Sequence, residues 1–385
     1  ALGAITSAPL PDNKRRLVAS RVAPLLRGLV SKPETAILRY DDSKKVLEFV
    51  GSSEARRVAE EGATSPDHLL RTRRRPLWVN ATDTTSPKEV SNRIQDAVTK
   101  YGKTYASWFR RHSDGQFPLI DSNPRVVMVP GVGMWTVARD LKGAKIAADI
   151  YRHSIEVFRG AEAIGTYSSL GPGEVYQAEY WPLQFHKLNL LPREKELSRK
   201  IALVTGAARG IGAGIARRLA QEGAHVALAD IDGSAVDRTV DEINQDVGDG
   251  RCIALQVDVA NERGVQHVLE STCLAFGGLD ILVSNAGVAQ GATIEELDLG
   301  AWAKSIEVNA TGHFLMARET VRVMKAQGLG GSLIFIATKN VTAPGGGFGA
   351  YSAAKAAEAQ LARILAIENG AWSIRSNIVN PDAIF

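Results

Sequence analysis

The 385-residue sequence has only two cysteines, Cys252 and Cys273. Two thiols exclude a disulfide scaffold and a four-thiolate zinc site, and they favour a reducing compartment. No apolar run approaches the roughly 18–20 residues that a membrane span needs. The first residues, ALGAITSAPLPDNKRR, are too mixed in character for a signal peptide. These absences lead us to expect a cytoplasmic location and no membrane partner.

Charge is present in ordinary amount but is unevenly distributed. Hydrophobic residues make up 45% and charged residues 23% of the chain, which are typical globular values. Residues 1–200 carry a net charge of +10, whereas residues 201–385 carry −6. This difference indicates two units. The basic residues are scattered, without RNA-binding aromatic motifs or a helix-turn-helix pattern, so we expect no nucleic-acid partner.

The first half shows mixed helix and strand patterns. Apolar residues at helical spacing predict helices, and shorter apolar runs predict strands, an alternation that favours an α/β fold. The predicted helices are 14–31, 87–111, 140–165 and 174–188, and the predicted strands are 34–40, 45–50 and 125–136. His68 stands beside Arg71, Arg73, Arg74 and Arg75, which we interpret as a solvated basic surface rather than a phosphate site.

The polar segment LLPREKELSRK predicts a domain boundary, with domains at 1–190 and 200–385 and a linker at 191–199. After it, strands and helices alternate regularly. The predicted strands are 201–205, 226–230, 252–258, 280–284, 332–337 and 374–379, and one helix is predicted over 299–327. Continuously apolar strands are typical of burial on both faces, as in a doubly wound parallel sheet.

The strongest local pattern is IALVTGAARGIG, a buried strand followed by Gly206, Gly210 and Gly212 and then a helix. Such a turn brings backbone close to a pyrophosphate and offers it the helix N-terminus. The alternative is a tight turn with no ligand. Asp230 ends the next strand, where a carboxylate accepts hydrogen bonds from ribose hydroxyls and favours NAD over NADP. Arg209 favours the opposite choice, and a solvated strand-end Asp230 is the simpler alternative.

A second group of residues has the chemistry for proton transfer. Tyr351 and Lys355 lie four residues apart, on one face of a predicted helix, where an ammonium lowers the pKa of a phenol. Thr338 follows the strand SLIFIA, and Asn309 lies within the long predicted helix. Structural alternatives are helix-surface residues, a strand-end hydroxyl and a mid-helix polar residue. Asn285, Ala286 and Gly287 follow another strand and are either a turn or a resting place for nicotinamide or ribose.

Together these motifs resemble a short-chain dehydrogenase/reductase over residues 199–385. TGAARGIG is similar to the family pattern TGxxxGIG, SNAG to NNAG, and YSAAK to YxxxK. The resemblance implies a Rossmann-type fold and a catalytic tetrad of Asn309, Thr338, Tyr351 and Lys355, with Thr338 where the family usually has Ser. It implies a cofactor site of Gly206, Arg209, Gly210, Ile211, Gly212, Asp230, Ile231, Asp258, Val259, Asn285, Ala286, Gly287, Tyr351 and Lys355.

The implied chemistry is hydride transfer between substrate carbon and nicotinamide. Tyr351 exchanges a proton with the substrate oxygen, Lys355 lowers the pKa of Tyr351 and holds the ribose, and Thr338 polarises the oxygen. Asn309 supports a proton relay through water. NAD is the expected cofactor, with NADP less favoured.

The first half resembles an α/β class II aldolase domain preceding the dehydrogenase in bifunctional aldolase/short-chain dehydrogenases. The segments TSPDHLLRTRRRPLWV, PRVVMVPGVGMWT and QAEYWPLQFHKLNL carry this resemblance. It implies a small hydroxy-aldehyde or sugar-derived substrate. None of the seven histidines forms an H-x-H pair. The resemblance implies a His-Gly pair where PGVG stands, and Pro130 cannot be a metal ligand, so we expect no metal. The family continues past NPDAIF, so we expect the dehydrogenase domain to be incomplete.

Three functions remain open at this point. The leading hypothesis is an NAD-dependent alcohol–carbonyl oxidoreductase acting on a small molecule, and the family resemblance also implies a homo-oligomer. A second is a carbon–carbon lyase acting on a ketose phosphate through the first half, which a chelator abolishes. A third is a non-catalytic nucleotide-binding or interaction protein, which binds NADH without turnover.

Overall fold

The computed structural model describes residues 2–81, 86–190 and 192–382. Leu191, the first residue of the predicted linker, and residues 383–385 therefore lie outside the described part. The chain forms two compact units. The first comprises Ala1–Glu194 with Leu274–Gly277, and the second comprises Lys195–Cys273 and Gly278–Phe385.

The first unit contains a four-stranded sheet. Its strands are β1 (Ile37–Asp41), β2 (Leu77–Trp78), β3 (Val126–Val129) and β4 (Gly133–Ala138). The order is β1-β4-β3-β2, and only β2 and β3 run parallel. The strand predicted at 125–136, with an interruption at Pro130-Gly131, is two antiparallel strands, because Gly131 adopts a positive φ of 78° in the turn between them.

Helices cover both faces of this sheet. They are α1 (Asp12–Val30), α2 (Lys44–Val50), α3 (Ala55–Glu61), α4 (Leu69–Thr72), α5 (Pro87–His112), α6 (Leu141–Ile164), α7 (Pro172–Glu179) and α8 (Pro182–Asn189). Odd-numbered side chains of β3 and β4 join the core formed with α1 and α5. Even-numbered ones join the core formed with α2, α3 and α6, as strand alternation requires.

Two predicted elements of the first unit are wrong. Residues 45–50 form helix α2 rather than a strand, because Val46, Leu47, Phe49 and Val50 are all buried, which is helical and not alternating spacing. The helix predicted at 174–188 is two helices. It breaks at Pro182, whose ring removes a backbone donor and disfavours helical geometry at the preceding residue.

The basic segment of the first unit is not uniformly solvated. Arg73 is 3% exposed. Its guanidinium pairs with Glu179 and Asp121 and donates a hydrogen bond to the Tyr105 hydroxyl at 2.9 Å. Burial costs a charge its hydration unless partners replace it, and these carboxylates do so. The prediction of a solvated surface is therefore wrong for Arg73, which is part of the packed interior.

The second unit is a six-stranded parallel sheet. Its strands are β5 (Ile201–Thr205), β6 (His225–Asp230), β7 (Cys252–Gln256), β8 (Ile281–Ser284), β9 (Gly331–Ile336) and β10 (Ile374–Val379). The order is β10-β9-β8-β5-β6-β7, with every pair parallel. The chain direction across the sheet reverses at β5 and β8. In such sheets ligands bind at the carboxyl ends of the strands beside this reversal.

Helices on both faces complete the doubly wound architecture that the sequence predicts. They are α9 (Gly210–Gln221), α10 (Gly233–Val247), α11 (Glu262–Phe276), α12 (Leu299–Ile306), α13 (His313–Gln327) and α14 (Gly349–Asn369). The helix predicted at 299–327 is interrupted by a six-residue π-helical segment, Glu307–Gly312, between α12 and α13. Among the described residues, no helix is long and apolar enough to cross a membrane.

Candidate active site

The glycine-rich turn joins β5 to α9 at the carboxyl edge of the sheet. Gly206 and Gly210 have positive φ angles of 63° and 59°. A Cβ on Gly212 would lie 2.2 Å from the Gly206 carbonyl oxygen, so only glycine permits the helix to start this close. No atom lies within 4 Å of a Cβ position on Gly210. The turn is thus closely packed at Gly212 and open at Gly210, which leaves room for a bound pyrophosphate.

The turn is held by the end of strand β8. Asn285 donates from its side chain to the carbonyls of Thr205 and Gly206 at 2.9 and 3.1 Å. The buried Thr205 hydroxyl accepts hydrogen bonds from the backbone amides of Asn285 and Ala286. Both the side-chain nitrogen and the backbone amide of Asn285 therefore fix the turn. The sequence analysis missed Thr205, although its place at the end of the strand before the glycines is a usable signal.

Asp230 ends β6 next to the turn. Its two carboxylate oxygens accept hydrogen bonds from the backbone amides of Ala208 at 3.0 Å and Asp232 at 3.1 Å. Each oxygen keeps a further lone pair for a ribose hydroxyl. Ile231 follows with 63% of its surface exposed, and Arg209 is exposed at the start of α9. The polar and apolar groups that recognise an adenosine are thus present at this edge.

The two predicted cofactor-site residues Asp258 and Val259 have different surroundings. Val259 is buried, and a Cβ on Gly312 would lie 2.8 Å from its Cγ2 atom. Its side chain therefore packs inside the protein, and the part of Val259 in the cofactor site stays a prediction. Asp258 is half-buried and accepts a hydrogen bond from the Ala260 amide at 2.9 Å.

Tyr351 and Thr338 lie together at the carboxyl end of β9. A hydrogen bond between their side chains lowers the pKa of Tyr351, but burial outweighs it, so the pKa of Tyr351 lies above its ordinary value. Glu358 raises this pKa further. Burial, Thr338 and Glu358 are the causes of this shift, so a lowering of the Tyr351 pKa by Lys355 stays a prediction.

Lys355 is 2% exposed, and its ammonium has two close partners among the described residues. It donates to the carbonyl oxygen of Ile336 at 2.9 Å and lies 2.7 Å from the Glu358 carboxylate. Burial lowers the pKa of Lys355, an effect that Glu358 opposes. A Cβ on Gly287 would lie 3.8 Å from the lysine Nζ atom, so the turn after β8 reaches the same place.

Asn309 lies in the π-helical segment and is fully buried. Its amide oxygen accepts from the Val288 amide at 3.0 Å, and its nitrogen donates to the Val288 carbonyl at 2.8 Å and to Ser305 at 3.1 Å. The hydrogen bonds of the Asn309 side chain thus hold the turn after β8. The part of Asn309 in a proton relay through water stays a prediction.

Two residues next to Lys355 were not predicted from the sequence, namely His313 and Glu358. Both are buried, at 2% and 0% exposure. His313 starts α13 directly after the π-helical segment, and Glu358 lies one turn after Lys355 on α14. A usable signal was the Lys-x-x-Glu spacing itself, which puts the two charges on one helix face.

No group of three or more His, Cys, Asp or Glu residues in the described ranges is arranged to hold a metal ion. His68, in the first unit, contacts the Thr64 hydroxyl at 3.1 Å, and burial lowers its pKa.

Comparison with known proteins agrees with this geometry. Residues 17–188 match the family model "Aldolase class II, second domain", and residues 200–384 match "short chain dehydrogenase". The chain is 40% identical over 190 residues to cis-4-hydroxycyclohexanecarboxylate dehydrogenase of Sinomonas cyclohexanicum, covering 48% of this chain and 73% of that protein. It therefore belongs to the short-chain dehydrogenases, with a class II aldolase domain ahead of the dehydrogenase unit. Both resemblances seen in the sequence are confirmed.

Two further relatives show the breadth of the match. The chain is 41% identical over 377 residues to "Uncharacterized oxidoreductase YuxG" of Bacillus subtilis (strain 168), covering 98% of this chain and 55% of that protein. It is 38% identical over 199 residues to (+)-cis,cis-nepetalactol synthase NEPS3 of Nepeta racemosa, covering 51% of this chain and 72% of that protein. The chain thus spans about half the length of the relative that shares both domains.

Proposed function

We propose that the second unit interconverts an alcohol with an aldehyde or ketone, using a nicotinamide cofactor that it binds at the carboxyl edge of its sheet. The observation that carries this proposal is the gathering of Tyr351, Thr338 and Lys355 at the end of β9, next to the open glycine-rich turn. A tight turn without a ligand gives no reason for these side chains to converge there.

Each residue has a task in this proposal. Tyr351 exchanges a proton with the substrate oxygen, while Thr338 donates or accepts a hydrogen bond at that oxygen. Lys355 assists Tyr351 and holds the nicotinamide ribose. Asn309 fixes the turn that carries Gly287. The cofactor, when bound, supplies or accepts the hydride, and the protein contributes orientation and electrostatics.

We propose a small hydroxy-aldehyde or sugar-derived alcohol as substrate. Phe348 contacts the Tyr351 ring edge-on, with centroids 6.4 Å apart, and Val288 is 42% exposed on the turn after β8. Phe348 is thus an apolar contact beside the Tyr351 ring, which suits a small substrate. Oxidation of a panel of small diols and sugar alcohols, followed by the absorbance of reduced nicotinamide, tests the proposal. Metal-dependent cleavage of a ketose phosphate that a chelator abolishes would instead support the lyase hypothesis.

For the cofactor we propose NAD over NADP, on the strength of the Asp230 carboxylate at the ribose position. Replacing Asp230 with Asn removes the charge but keeps the shape of the side chain. We expect the preference for NADH over NADPH to fall about tenfold, because repulsion of the 2′-phosphate is lost while Arg209 remains. Fluorescence titration with both nucleotides measures this ratio.

The matched control is Asp237→Ala, which removes an exposed carboxylate from helix α10. It is expected to leave the ratio unchanged. An Asp230→Asn protein with the same ratio as wild type would show that another group sets the cofactor preference.

We further propose that the chain self-associates. Leu299 and Trp302 on α12 are 81% and 37% exposed, and Ile364 and Ile367 on α14 are 41% and 83% exposed. Helices α12 and α14 pack against each other, so these apolar groups lie on neighbouring elements of one unit. Burial in a second copy removes such apolar surface from water. Sedimentation velocity distinguishes a homo-oligomer from a monomer.

A further inference from the structure

Three buried polar side chains form a cluster with the proposed catalytic Lys355. Glu358 Oε2 lies 2.7 Å from Lys355 Nζ, and His313 Nε2 lies 3.5 Å from it. The other ring nitrogen of His313 is 2.7 Å from the Ser284 hydroxyl and 3.4 Å from Glu358 Oε1. Each member is less than 4% exposed. The cluster joins β8, α13 and α14 directly beneath the site.

The arrangement changes how the lysine acts on Tyr351. An ammonium with a carboxylate 2.7 Å away affects a third group as a dipole rather than as a single charge, so its effect falls more steeply with distance. Burial and Lys355 together lower the pKa of His313 well below its usual range, so His313 adds no positive charge near neutral pH. Lys355 and Glu358 therefore act on Tyr351 largely as a neutral ion pair.

We infer that Glu358 is a positioning residue, which holds Lys355 in this cluster and offsets its positive charge at Tyr351. His313, fixed by Ser284, restrains the pair from the neighbouring helix. The groups that face Glu358 are Lys355 and Tyr351 from α14 and His313 from α13. The inference rests on the proposed role of Lys355 in assisting Tyr351.

A dependence on pH follows from the cluster. Burial raises the pKa of Glu358 to about 7. As pH falls through this value, Glu358 gains a proton and the lysine charge is no longer offset, which lowers the pKa of Tyr351. As pH rises, the ionised carboxylate raises it again. The ionisation state of Glu358 thus changes the proton affinity of Tyr351.

The test is a titration of Tyr351 without cofactor. Tyrosine is labelled with carbon-13 at its Cζ atom, and Tyr351 is assigned by comparison with Tyr351→Phe. In Glu358→Gln we expect the midpoint of Tyr351 ionisation to fall by about one pH unit, because the offsetting charge is gone. Glu368→Gln, an exposed position on the same helix, is expected to leave it unchanged. An unchanged midpoint in Glu358→Gln overturns the inference.

Two more variants separate positioning from a direct charge effect. In a Lys355→Met background, Glu358→Gln is expected to move the midpoint less than in wild type, and an equal shift in both backgrounds overturns the role through lysine. Glu358→Asp retracts the carboxylate and is expected to give an intermediate midpoint. If Glu358→Gln fails to fold, Glu358→Asp provides the test in its place. Because no cofactor is present, failure of NADH binding leaves this result intact.

Discussion

Replacing Tyr351 with Phe is expected to reduce turnover by about a thousandfold while NADH affinity changes less than about twofold. The substitution removes the phenol proton that the substrate oxygen exchanges, but it keeps the ring and its packing against Phe348. Steady-state oxidation of the best substrate, together with fluorescence titration of NADH, separates the two effects. The expected result is a loss in kcat with nucleotide binding retained.

A matched control is Tyr176→Phe in the first unit. Tyr176 is a buried tyrosine, whose hydroxyl donates a hydrogen bond to Asp114 at 3.1 Å. It is expected to cost about 1 kcal/mol of folding free energy with no change in turnover. If Tyr351→Phe kept wild-type kcat, Tyr351 would not be the proton donor, and the chemistry would have to reside elsewhere.

Replacing Gly212 with Ala is expected to have the largest effect on nucleotide binding. The added Cβ would lie 2.2 Å from the Gly206 carbonyl oxygen and 2.6 Å from the Asn285 amide nitrogen. The turn must shift, and with it the backbone amides at the start of α9. We expect the free energy of unfolding to fall by about 1–3 kcal/mol and the affinity for NADH to fall by about a hundredfold.

The control lies two residues further along the same helix. A Cβ on Gly214 meets no atom within 4 Å, so Gly214→Ala is expected to stabilise the helix by about 0.5–1 kcal/mol and to leave NADH affinity unchanged. Thermal unfolding and NADH titration of both variants give the comparison. Equal NADH affinity in the Gly212 and Gly214 variants would contradict nucleotide binding at this turn.

The second unit was predictable from sequence because each of its signals is local. The strand IALVT is apolar at every position, the glycines mark the turn, and Asp230 ends the following strand, so order along the chain translates directly into place at the sheet edge. The first unit gave weaker signals. Residues 45–50 were misassigned because a short apolar run fits strand and helix equally well, and packing decides between them.

The site was only partly predictable for a different reason. Spacing within one helix predicts that Tyr351 and Lys355 share a face, but it does not show that His313, 42 residues earlier, reaches the same lysine. The side chain of Asn309 holds the backbone of Val288, 21 residues earlier, a contact that the sequence did not predict. Long-range contacts of this kind depend on the packed helices, and no local pattern encodes them.

The most direct test of the account is a fluorescence titration of the chain with NADH in the absence of any substrate. The account predicts saturable binding at one site per chain, tighter for NADH than for NADPH and lost in Gly212→Ala. A folded chain that binds neither nucleotide would contradict the central claim that the second unit holds a nicotinamide cofactor at the open edge of its sheet.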